Sequence, residues 1–309
     1  MRPQPLALAV LTIEPGCYSS QRLEAAARAR GHDVQCLDTM VCSLHVQSGD
    51  LSVHHRGQCL PSFDAVIPRI GPAMTGHGCA VVHQFEAMGV PALARAQAIM
   101  ASRDKRRAHQ LLASAGLPMP RTAFICVPQG PHDILEMMGS LPLVLKPIRS
   151  SQGEGVRLVR TIEALQAEIA AFAGQQTDFL VQEFVAEAAG EDVRCLVVGG
   201  EVVAAMKRCA APGEFRSNLH QGGSAEATEI TEAERQIAQR AAETFGLSFA
   251  GVDLLRGRNG PLVLEVNSSP GLEGIERCTG QDLADLVVAE VERIAAIDSR
   301  PLGHRGAAA

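Results

Sequence analysis

Two acidic residues and an asparagine stand close together near the carboxyl end of the chain. Glu265 and Asn267 are two residues apart in the apolar run PLVLEVNSSPG, so both face one side of a predicted strand. Asp253, in the preceding run GVDLL, would lie opposite Glu265 if the chain turns near Asn259. Two carboxylates and an amide oxygen are hard ligands, which suit magnesium or manganese held together with phosphates. The spacing predicts a metal site, and a solvated hairpin face is the competing interpretation.

A lysine, a glycine-rich segment and two further acids form a second group of candidates. Lys146 ends the apolar run LVLK, a setting in which a lysine needs an anionic partner. The segment SSQGEGV follows, and its backbone N–H groups could donate to phosphates, although it lacks the motifs of a P-loop and of a dinucleotide site. Glu183, at the end of the run LVQE, could contact an adenine or ribose edge. Asp192 begins the next strand, where it would serve either ribose hydroxyls or a salt bridge.

The elements that would position these residues begin with a small α/β section. The run LALAVLTI predicts a strand, residues 20–30 a helix, and DVQCLD and FDAVIPRIG two further strands. Arg69 lies at the carboxyl end of the last strand, where open α/β sheets bind ligands. Arg69 is therefore a candidate substrate contact, with a surface salt bridge as the alternative.

The rest of the chain predicts a mixed α+β architecture. Ser102 is predicted as the N-cap of a helix that ends before Gly116. Two hairpins are predicted, one turning at Gly199–Gly200 and one near residues 258–260. A T-x-x-E capping box at residues 231–234 predicts the start of another helix.

Composition narrows the class of protein. The chain has 309 residues and a net charge of -6, which argues against general binding to nucleic acid backbones. One tyrosine and no tryptophan leave little material for stacking bases. No run approaches the roughly 20 apolar residues needed to cross a bilayer, and nine cysteines without a C-x-x-C pair are typical of reduced thiols. We expect a cytoplasmic protein with neither nucleic acid nor a membrane as a direct partner.

Seven runs, in chain order, resemble the ATP-grasp ligases and, among these, the RimK type. FRSNLHQGG and LEVNSSPGLEGIE are specific to this resemblance, whereas the glycine-rich segment and GVDLL are not. The likeness begins at DAVIPRIG, includes SRDKRRAHQLL and continues to the final helix. The matching runs are LVLKP, SQGEGV, LVQEFV, EDVRCLVVGGEVVAAMKR, FRSNLHQGG, GVDLL and LEVNSSPGLEGIE.

The resemblance implies a fold class of α/β and α+β: an ATP-grasp fold behind an N-terminal Rossmann-like pre-ATP-grasp domain. Nucleotide would lie between two α+β subdomains. We expect the N-terminal domain at residues 1–101, the central subdomain at 102–176, the C-terminal subdomain with the metal site at 177–298, and a disordered tail at 299–309.

The same resemblance implies a role for each matching residue. Arg216, with Arg208 second, is the predicted stabiliser of a tetrahedral oxyanion. The metal is expected to be magnesium or manganese, as two ions. The implied contacts are Lys105 and Lys146 to ATP phosphates, Glu183 and Phe184 to adenine, Asp192 to ribose, Arg216, Ser217 and Asn218 to phosphates and the acyl intermediate, and Asp253, Glu265 and Asn267 to the metal.

The implied activity is the ATP-dependent joining of a carboxylate to an amine through an acyl phosphate. The leading hypothesis is an α-L-glutamate ligase that adds L-glutamate to the C-terminus of a small-subunit ribosomal protein, with polymerisation of glutamate as a further activity. Its rival joins glutamate or another amino acid to a small cofactor or to an amino-group carrier protein. Ligases of this group also imply a homo-oligomer, with a tetramer expected.

The glycine-rich segment departs from the RimK pattern. Arg149 and Glu154 stand where RimK-type ligases carry an acidic and an apolar residue, so the acceptor could differ. Outside the ligases, the alternatives are an ATP-binding regulator without catalysis and a nicotinamide oxidoreductase. The turn EPGCYSS after the first strand lacks the glycine fingerprint that the oxidoreductase requires.

Overall fold

The computed structural model describes residues 4–127, 130–148, 153–188, 190–217 and 222–298, and it begins with an α/β layer. This part contains β1 (Ala7–Thr12), α1 (Tyr18–Ala29), β2 (Asp33–Asp38), β3 (Cys42–Gln47), β4 (Asp50–His55), β5 (Gln58–Cys59), β6 (Ala65–Arg69), α2 (Thr75–Ala87) and α3 (Ala96–Arg103). Strands β2, β1 and β6 form a parallel sheet in that order. Leu8, Ala9, Val10 and Leu11 of β1, the middle strand, are fully buried, as expected for a parallel sheet.

A small antiparallel sheet of β3, β4 and β5 is absent from the sequence prediction. In β3, Cys42, Leu44 and Val46 alternate with polar residues, a strand signal that the sequence prediction missed. The signal is weaker in β4 and β5, whose apolar residues are Leu51, Val53 and Cys59. The sheet is held to α2 by Gln84, whose side-chain amide donates to the backbone carbonyls of His45 at 2.8 Å and Ser52 at 3.3 Å.

The helix predicted to begin at Ser102 begins later, so that prediction is wrong. Ser102 lies in the last turn of α3, and α4 (Lys105–Ser114) has Asp104 as its N-cap. The Asp104 carboxylate accepts hydrogen bonds from the backbone N–H groups of Arg106 and Arg107. Serine and aspartate are similarly good caps, and the extended backbone of Asp104 separates the two helices.

The central part is a four-stranded antiparallel sheet with two helices. It contains β7 (Thr122–Ile125), α5 (Pro131–Met138), β8 (Leu143–Pro147), β9 (Arg157–Val159), α6 (Ile162–Gly174) and β10 (Phe179–Glu183). The strand order is β7-β10-β8-β9. Because β10 pairs with both β7 and β8, the central sheet extends beyond the boundary predicted at residue 176.

The C-terminal part is a five-stranded antiparallel sheet built around two hairpins. It contains β11 (Glu191–Val198), β12 (Glu201–Cys209), β13 (Ser224–Ala227), α7 (Glu232–Phe245), β14 (Phe249–Gly257), β15 (Gly260–Asn267), α8 (Glu273–Thr279) and α9 (Leu283–Asp298). Both predicted hairpins are confirmed, and β11 pairs with β14 between them. The capping box before α7 is also confirmed, with reciprocal hydrogen bonds between Thr231 and Glu234.

The buried apolar residues join the N-terminal and C-terminal parts. One cluster combines Leu11 with Val252, and a second combines Leu23 of α1 with Val287 of α9. The central part has a cluster of its own around Phe179. The outer parts of the chain therefore pack as one body, and the central part is a second packing unit.

Polar contacts reinforce the packing of α1 against α8 and α9. Arg30, which follows α1, donates two hydrogen bonds to Glu292 and one to Asp285, each at 2.8 Å. Glu276 accepts hydrogen bonds from the hydroxyl of Tyr18 at 2.8 Å and from the first two backbone N–H groups of α9 at 3.0 and 3.1 Å. This buried carboxylate therefore caps one helix and holds another against it.

The cysteines and the helix lengths bear on two expectations. All nine cysteines are free thiols, as predicted. Within the described ranges, none of the helices combines the length and the apolar character required to span a bilayer.

Candidate active site

A cavity of about 680 Å³ lies where the three parts meet. Its volume is in the range of small-molecule sites. Of the predicted residues, Asn218 lies outside the described chain, as does Arg149 of the glycine-rich segment. The remaining predicted residues line the cavity: Lys105, Lys146, Glu183, Phe184, Asp192, Arg208, Arg216, Ser217, Asp253, Glu265 and Asn267.

The β14–β15 hairpin brings the predicted metal ligands together. Asp253 pairs directly with Glu265, and Asn267 pairs with Gly251 across the same two strands. Asp253 is buried, whereas Glu265 is exposed at the cavity. Among the described residues no three His, Cys, Asp or Glu side chains form a metal-binding group, so the set reaches three donors only with the Asn267 amide.

Asp253 belongs to a buried network of two aspartates and two arginines. Arg194 donates to both Asp253 oxygens at 2.7 Å. Arg208 donates to Asp253 at 2.8 Å and to the two oxygens of Asp192 at 2.6 and 2.7 Å, and the Ser217 hydroxyl also donates to Asp192. Burial opposes the charged form of Asp253, but Arg194 and Arg208 outweigh it and lower the pKa of this carboxyl.

This network bears on the roles predicted for both aspartates. Burial and the neighbouring Asp253 raise the pKa of Asp192, and both of its oxygens already accept hydrogen bonds from Arg208 or Ser217, so this carboxylate serves the network whether or not it also contacts a ribose. The donor set nevertheless fits magnesium or manganese. Glu265 forms no ion pair with the described chain, and the buried amide nitrogen of Asn267 has no hydrogen-bond partner there.

Lys146 is oriented by Gln182 on the neighbouring strand. The Lys146 ammonium donates to Gln182 Oε1 at 2.7 Å. The Gln182 amide nitrogen donates to Thr122 Oγ1 at 2.9 Å and lies 3.5 Å from His109 Nε2. Burial, partly opposed by Glu265, lowers the pKa of Lys146 to about 8. The result is a fixed cation that lacks a carboxylate within ion-pair distance in the described chain and suits an anionic ligand.

Lys105, the first residue of α4, holds the end of β8. Its ammonium donates to the carbonyls of Pro147 at 3.0 Å and Ile148 at 3.1 Å. Burial lowers the pKa of Lys105, and Glu265 opposes the shift. The glycine-rich segment is described from Gly153 onward. Gly155 has a φ of 71°, and a Cβ atom at this position would lie only 2.7 Å from the Pro147 side chain. The segment thus returns closely over the strand end that both lysines border.

At the expected adenine end, the carboxylate of Glu183 serves the fold. It accepts a hydrogen bond from the backbone N–H of Arg121 at 2.9 Å, which ties β10 to the start of β7. Phe184 meets Phe215 edge to face, and the Arg160 guanidinium lies 5.9 Å from the Phe184 ring. An apolar and aromatic wall is therefore available for a base.

Arg216 connects the glycine-rich segment to the C-terminal part. Its guanidinium donates to the carbonyl of Gly153 at 2.9 Å and to Glu214 at 2.5 Å, and its buried Nε has no partner in the described chain. The hydrogen bond from Arg216 lowers the pKa of Glu214 to about 2. Arg208, the second candidate for an oxyanion, is engaged with two aspartates.

Arg194 and Gln182 are missing from the sequence prediction. Arg194 stands two residues after Asp192 on β11, so strand alternation alone would place both on one face. Gln182 precedes Glu183 in an apolar run, where a buried amide indicates a polar partner. The identity of each partner depends on strand pairing, which neither signal reveals.

Comparisons with known proteins agree with this architecture. Residues 102–291 match the RimK-like ATP-grasp domain and residues 6–99 the RimK PreATP-grasp domain. A probable alpha-L-glutamate ligase 1 from Shewanella amazonensis is 50% identical over 299 residues, which cover 97% of this chain and 99% of that protein. A probable alpha-L-glutamate ligase from Nitrosococcus oceani is 51% identical over 286 residues, covering 93% and 95%.

The solved structures support the fold. The ATP-grasp ligase PsnB, complexed with a phosphomimetic variant of its minimal precursor, Mg and ADP, gives a TM-score of 0.72 at 21% identity and covers 96% of this chain and 100% of its own. The expected ATP-grasp fold with its pre-ATP-grasp domain is confirmed, as is the carboxylate–amine ligase class. The chain belongs to the RimK-like ATP-grasp family.

Proposed function

We propose that the protein is an ATP-dependent ligase that joins L-glutamate to the carboxylate of an acceptor. The observation that carries the proposal is the convergence of phosphate-binding cations and hard metal ligands in one cavity. A carboxylate and ATP repel each other, and such a set of groups offsets that repulsion. Relatives named as probable alpha-L-glutamate ligases support glutamate as the amino acid.

The proposed reaction has two steps. An oxygen of the acceptor carboxylate attacks the γ-phosphorus of ATP, the bond to the bridging oxygen breaks, and ADP leaves. The amine of glutamate then attacks the acyl carbon, the bond to the phosphate oxygen breaks, and phosphate and a proton leave as the amide forms. Lys105 and Lys146 supply positive charge beside the phosphoryl group. Arg216 donates to the oxyanion of the tetrahedral intermediate.

Asp253, Glu265 and Asn267 would hold magnesium or manganese, with two ions expected. When bound, the metal supplies neutralising charge to the phosphates. Arg194 and Arg208 keep Asp253 ionised and fixed in place. Gly153, which accepts a hydrogen bond from Arg216, lines the cavity, and we propose that the glycine-rich segment excludes water from the acyl phosphate.

For the acceptor we propose the C-terminal carboxylate of a small-subunit ribosomal protein, as the resemblance to RimK-type ligases implies. A second candidate is a small cofactor or an amino-group carrier protein. Glu154 supports this second candidate, because an exposed acid stands between the cavity-lining residues Gly153 and Val156, where RimK-type ligases carry an apolar residue.

The test is ADP release with ATP, magnesium and each amino acid in turn, with and without the ribosomal protein, followed by mass spectrometry of the products. Glutamate-dependent release and mass gains of one or more glutamyl residues on the ribosomal protein are expected. Release with glutamate and no mass gain would move the search to the second acceptor class. If no amino acid supports release above the level of Glu265→Gln, the protein is not this ligase and an ATP-binding regulator becomes the better interpretation.

A further inference from the structure

Two arginines on the side of the cavity formed by the N-terminal part take no part in the proposed chemistry. Arg69 ends β6, and Arg103 ends α3, and both line the cavity. Arg69 donates to the carbonyl of Pro270 at 2.8 Å, and Arg103 donates to the carbonyl of Ile70 at 2.8 Å. Each guanidinium is therefore fixed by a backbone carbonyl and keeps further N–H donors for other partners.

These arginines differ from the other guanidinium groups of the cavity. Arg194, Arg208 and Arg216 each form an ion pair with a carboxylate, whereas Arg69 and Arg103 form none within the described chain. Their Nε atoms are buried without a hydrogen-bond partner in that part of the chain. Glu14 lines the same side of the cavity but is not in an ion pair with either arginine.

Burial makes this arrangement costly unless an anion joins it. Burial, with a smaller contribution from the neighbouring Arg103, lowers the pKa of Arg69 to about 10. Burial also lowers the pKa of Arg103, and Glu265 opposes that shift. Two adjacent cations in a cavity wall, each with guanidinium N–H groups beyond the one bound to a carbonyl, are a site at which a planar carboxylate can form charged hydrogen bonds.

The position of the pair relates it to the reacting groups. Along β15 and the segment after it, the chain passes from Glu265 and Asn267 to Pro270, whose carbonyl holds Arg69. Lys105 follows Arg103 by two residues and lies at the expected phosphate site. Arg69 and Arg103 belong to the N-terminal part, whereas Phe184 of the aromatic wall follows β10 and Phe215 follows β12, so the arginines and the aromatic wall come from different parts of the chain.

We propose that Arg69 and Arg103 form the subsite for a carboxylate of the incoming amino acid, an inference that rests on the proposed ligase function. Glutamate reacts through its amine and keeps both carboxylates, so a permanent pair of cations can bind it equally well before and after reaction. The acceptor carboxylate, in contrast, loses its charge when it becomes an acyl phosphate. Strong pairing with two arginines would stabilise its unreacted form and slow the phosphoryl transfer.

The subsite also separates the carboxylates that meet in this cavity. Only the acceptor carboxylate must reach the γ-phosphorus, although glutamate brings two more. The two guanidinium groups, rather than the lysines proposed for the phosphates, would hold one of these carboxylates in an unreactive position. This accounts for arginine rather than lysine at both places, since a planar fork fixes the direction as well as the charge of its ligand.

The experiment compares Arg69→Gln, Arg69→Lys and the control Arg107→Gln, which removes the same charge from an exposed position on α4. The KM for glutamate is expected to rise roughly 10- to 100-fold in Arg69→Gln, as for the loss of charged hydrogen bonds. The KM values for ATP and for the acceptor are expected to stay within about twofold. Arg69→Lys should recover only part of the loss, and Arg107→Gln should behave as wild type.

Two substrate analogues identify the carboxylate. Glutamine lacks the charged side-chain carboxylate, and 4-aminobutyrate lacks the carboxylate next to the amine. Arg69→Gln should discriminate less than wild type between glutamate and one of these analogues. A rise in the KM for the acceptor with that for glutamate unchanged would overturn the proposal, as would equal losses for all three substrates in a variant that melts like wild type.

Failure of the proposed ligase function would show separately, in the wild-type protein. If the wild-type protein uses an amino acid other than glutamate, the proposed substrate is wrong. The subsite can still be tested by comparing how wild type and Arg69→Gln discriminate between that amino acid and its decarboxylated amine. Unchanged discrimination between those two in Arg69→Gln would then reject it.

Discussion

Asp253 and Glu265 are predicted to hold the same metal, but only Asp253 also forms ion pairs with arginines in the described chain. Asp253→Asn would leave Arg194 and Arg208 facing a neutral amide, and we expect the free energy of unfolding to fall by about 3–5 kcal/mol, as for a broken buried ion pair. Glu265→Gln, at an exposed position, should change it by less than about 0.5 kcal/mol. Urea unfolding of both variants measures the difference, and both should lose ADP release. Equal stabilities would show that the arginine network contributes little to the fold.

Lys146 should make ATP binding depend on pH in the alkaline range. Its ammonium must be protonated to attract phosphate, and with a pKa of about 8 it loses that proton as the pH rises through this value. ATP affinity should therefore be constant below about pH 7 and fall, by at most roughly tenfold per pH unit, above the pKa of about 8. It should level off only above the higher pKa that this lysine has beside bound phosphates. Lys146→Arg should bind with a flatter profile, because arginine stays charged.

Equilibrium titrations from pH 6.5 to 9.5 provide the measurement, with the range chosen as about 1.5 units on either side of the shifted pKa. Lys105→Arg is the matched comparison, because burial also lowers the pKa of Lys105, which is therefore the other lysine that could cause the pH dependence. Identical profiles in wild type and Lys146→Arg would assign the dependence to another group.

At the level of single residues, the acids and lysines of the site could be predicted from the sequence, but the side chains that bind to them could not. Asp253, Glu265 and Asn267 could be placed on one face because alternation and a turn are local features. The bond from Arg194 to Asp253 joins residues 59 apart, and it exists because β11 and β14 pair with these two residues opposite each other. That pairing is decided by the whole sheet.

Among the elements, α8 and α9 depend on Glu276. Its carboxylate caps α9 and accepts hydrogen bonds from the hydroxyl of Tyr18 and the guanidinium of Arg22, both on α1. Glu276→Ala should lower the free energy of unfolding by about 2–4 kcal/mol, because it removes a helix cap and leaves buried donors unpaired. Glu273→Ala on the same helix, which removes an exposed pair with Arg277, should cost less than about 1 kcal/mol.

Urea unfolding of the two variants, with helix content followed by circular dichroism, measures this difference. Tyr18→Phe removes one of the same hydrogen bonds without changing the charge and should lie between them. A loss in Glu276→Ala no larger than in Glu273→Ala would mean that α9 is held by its apolar face alone.

Elements with strong local signals were predicted well. The hairpin turns and the capping box of α7 were correct because glycines, alternation and the Thr231–Glu234 pair act over a few residues. The strands β3 to β5 were missed although β3 alternates apolar and polar residues, because β4 and β5 have few apolar residues and the sheet depends on contacts with the distant α2. The break between α3 and α4 was misplaced because two good caps compete within three residues.

On the scale of the whole molecule, the division of the core predicts stepwise unfolding. The central part has its own buried cluster, whereas the outer parts share theirs. Calorimetry should show two transitions, with the smaller central unit melting first. Hydrogen exchange would identify the unit that unfolds first, because the backbone amides of β7 to β10 should exchange before those of β1 and β14. A single transition with simultaneous exchange would show that the two units unfold together.

The cavity proposed for ATP lies between these two packing units, and this has a consequence for the lifetime of the protein. A nucleotide that contacts both packing units binds only when the central unit is folded against the rest. A free nucleotide concentration of 100 times its dissociation constant would therefore raise the free energy of unfolding by about 2.7 kcal/mol. Proteases attack chains that open transiently. A cell with abundant ATP would therefore preserve this ligase, and a starved cell would degrade it from the central unit outward.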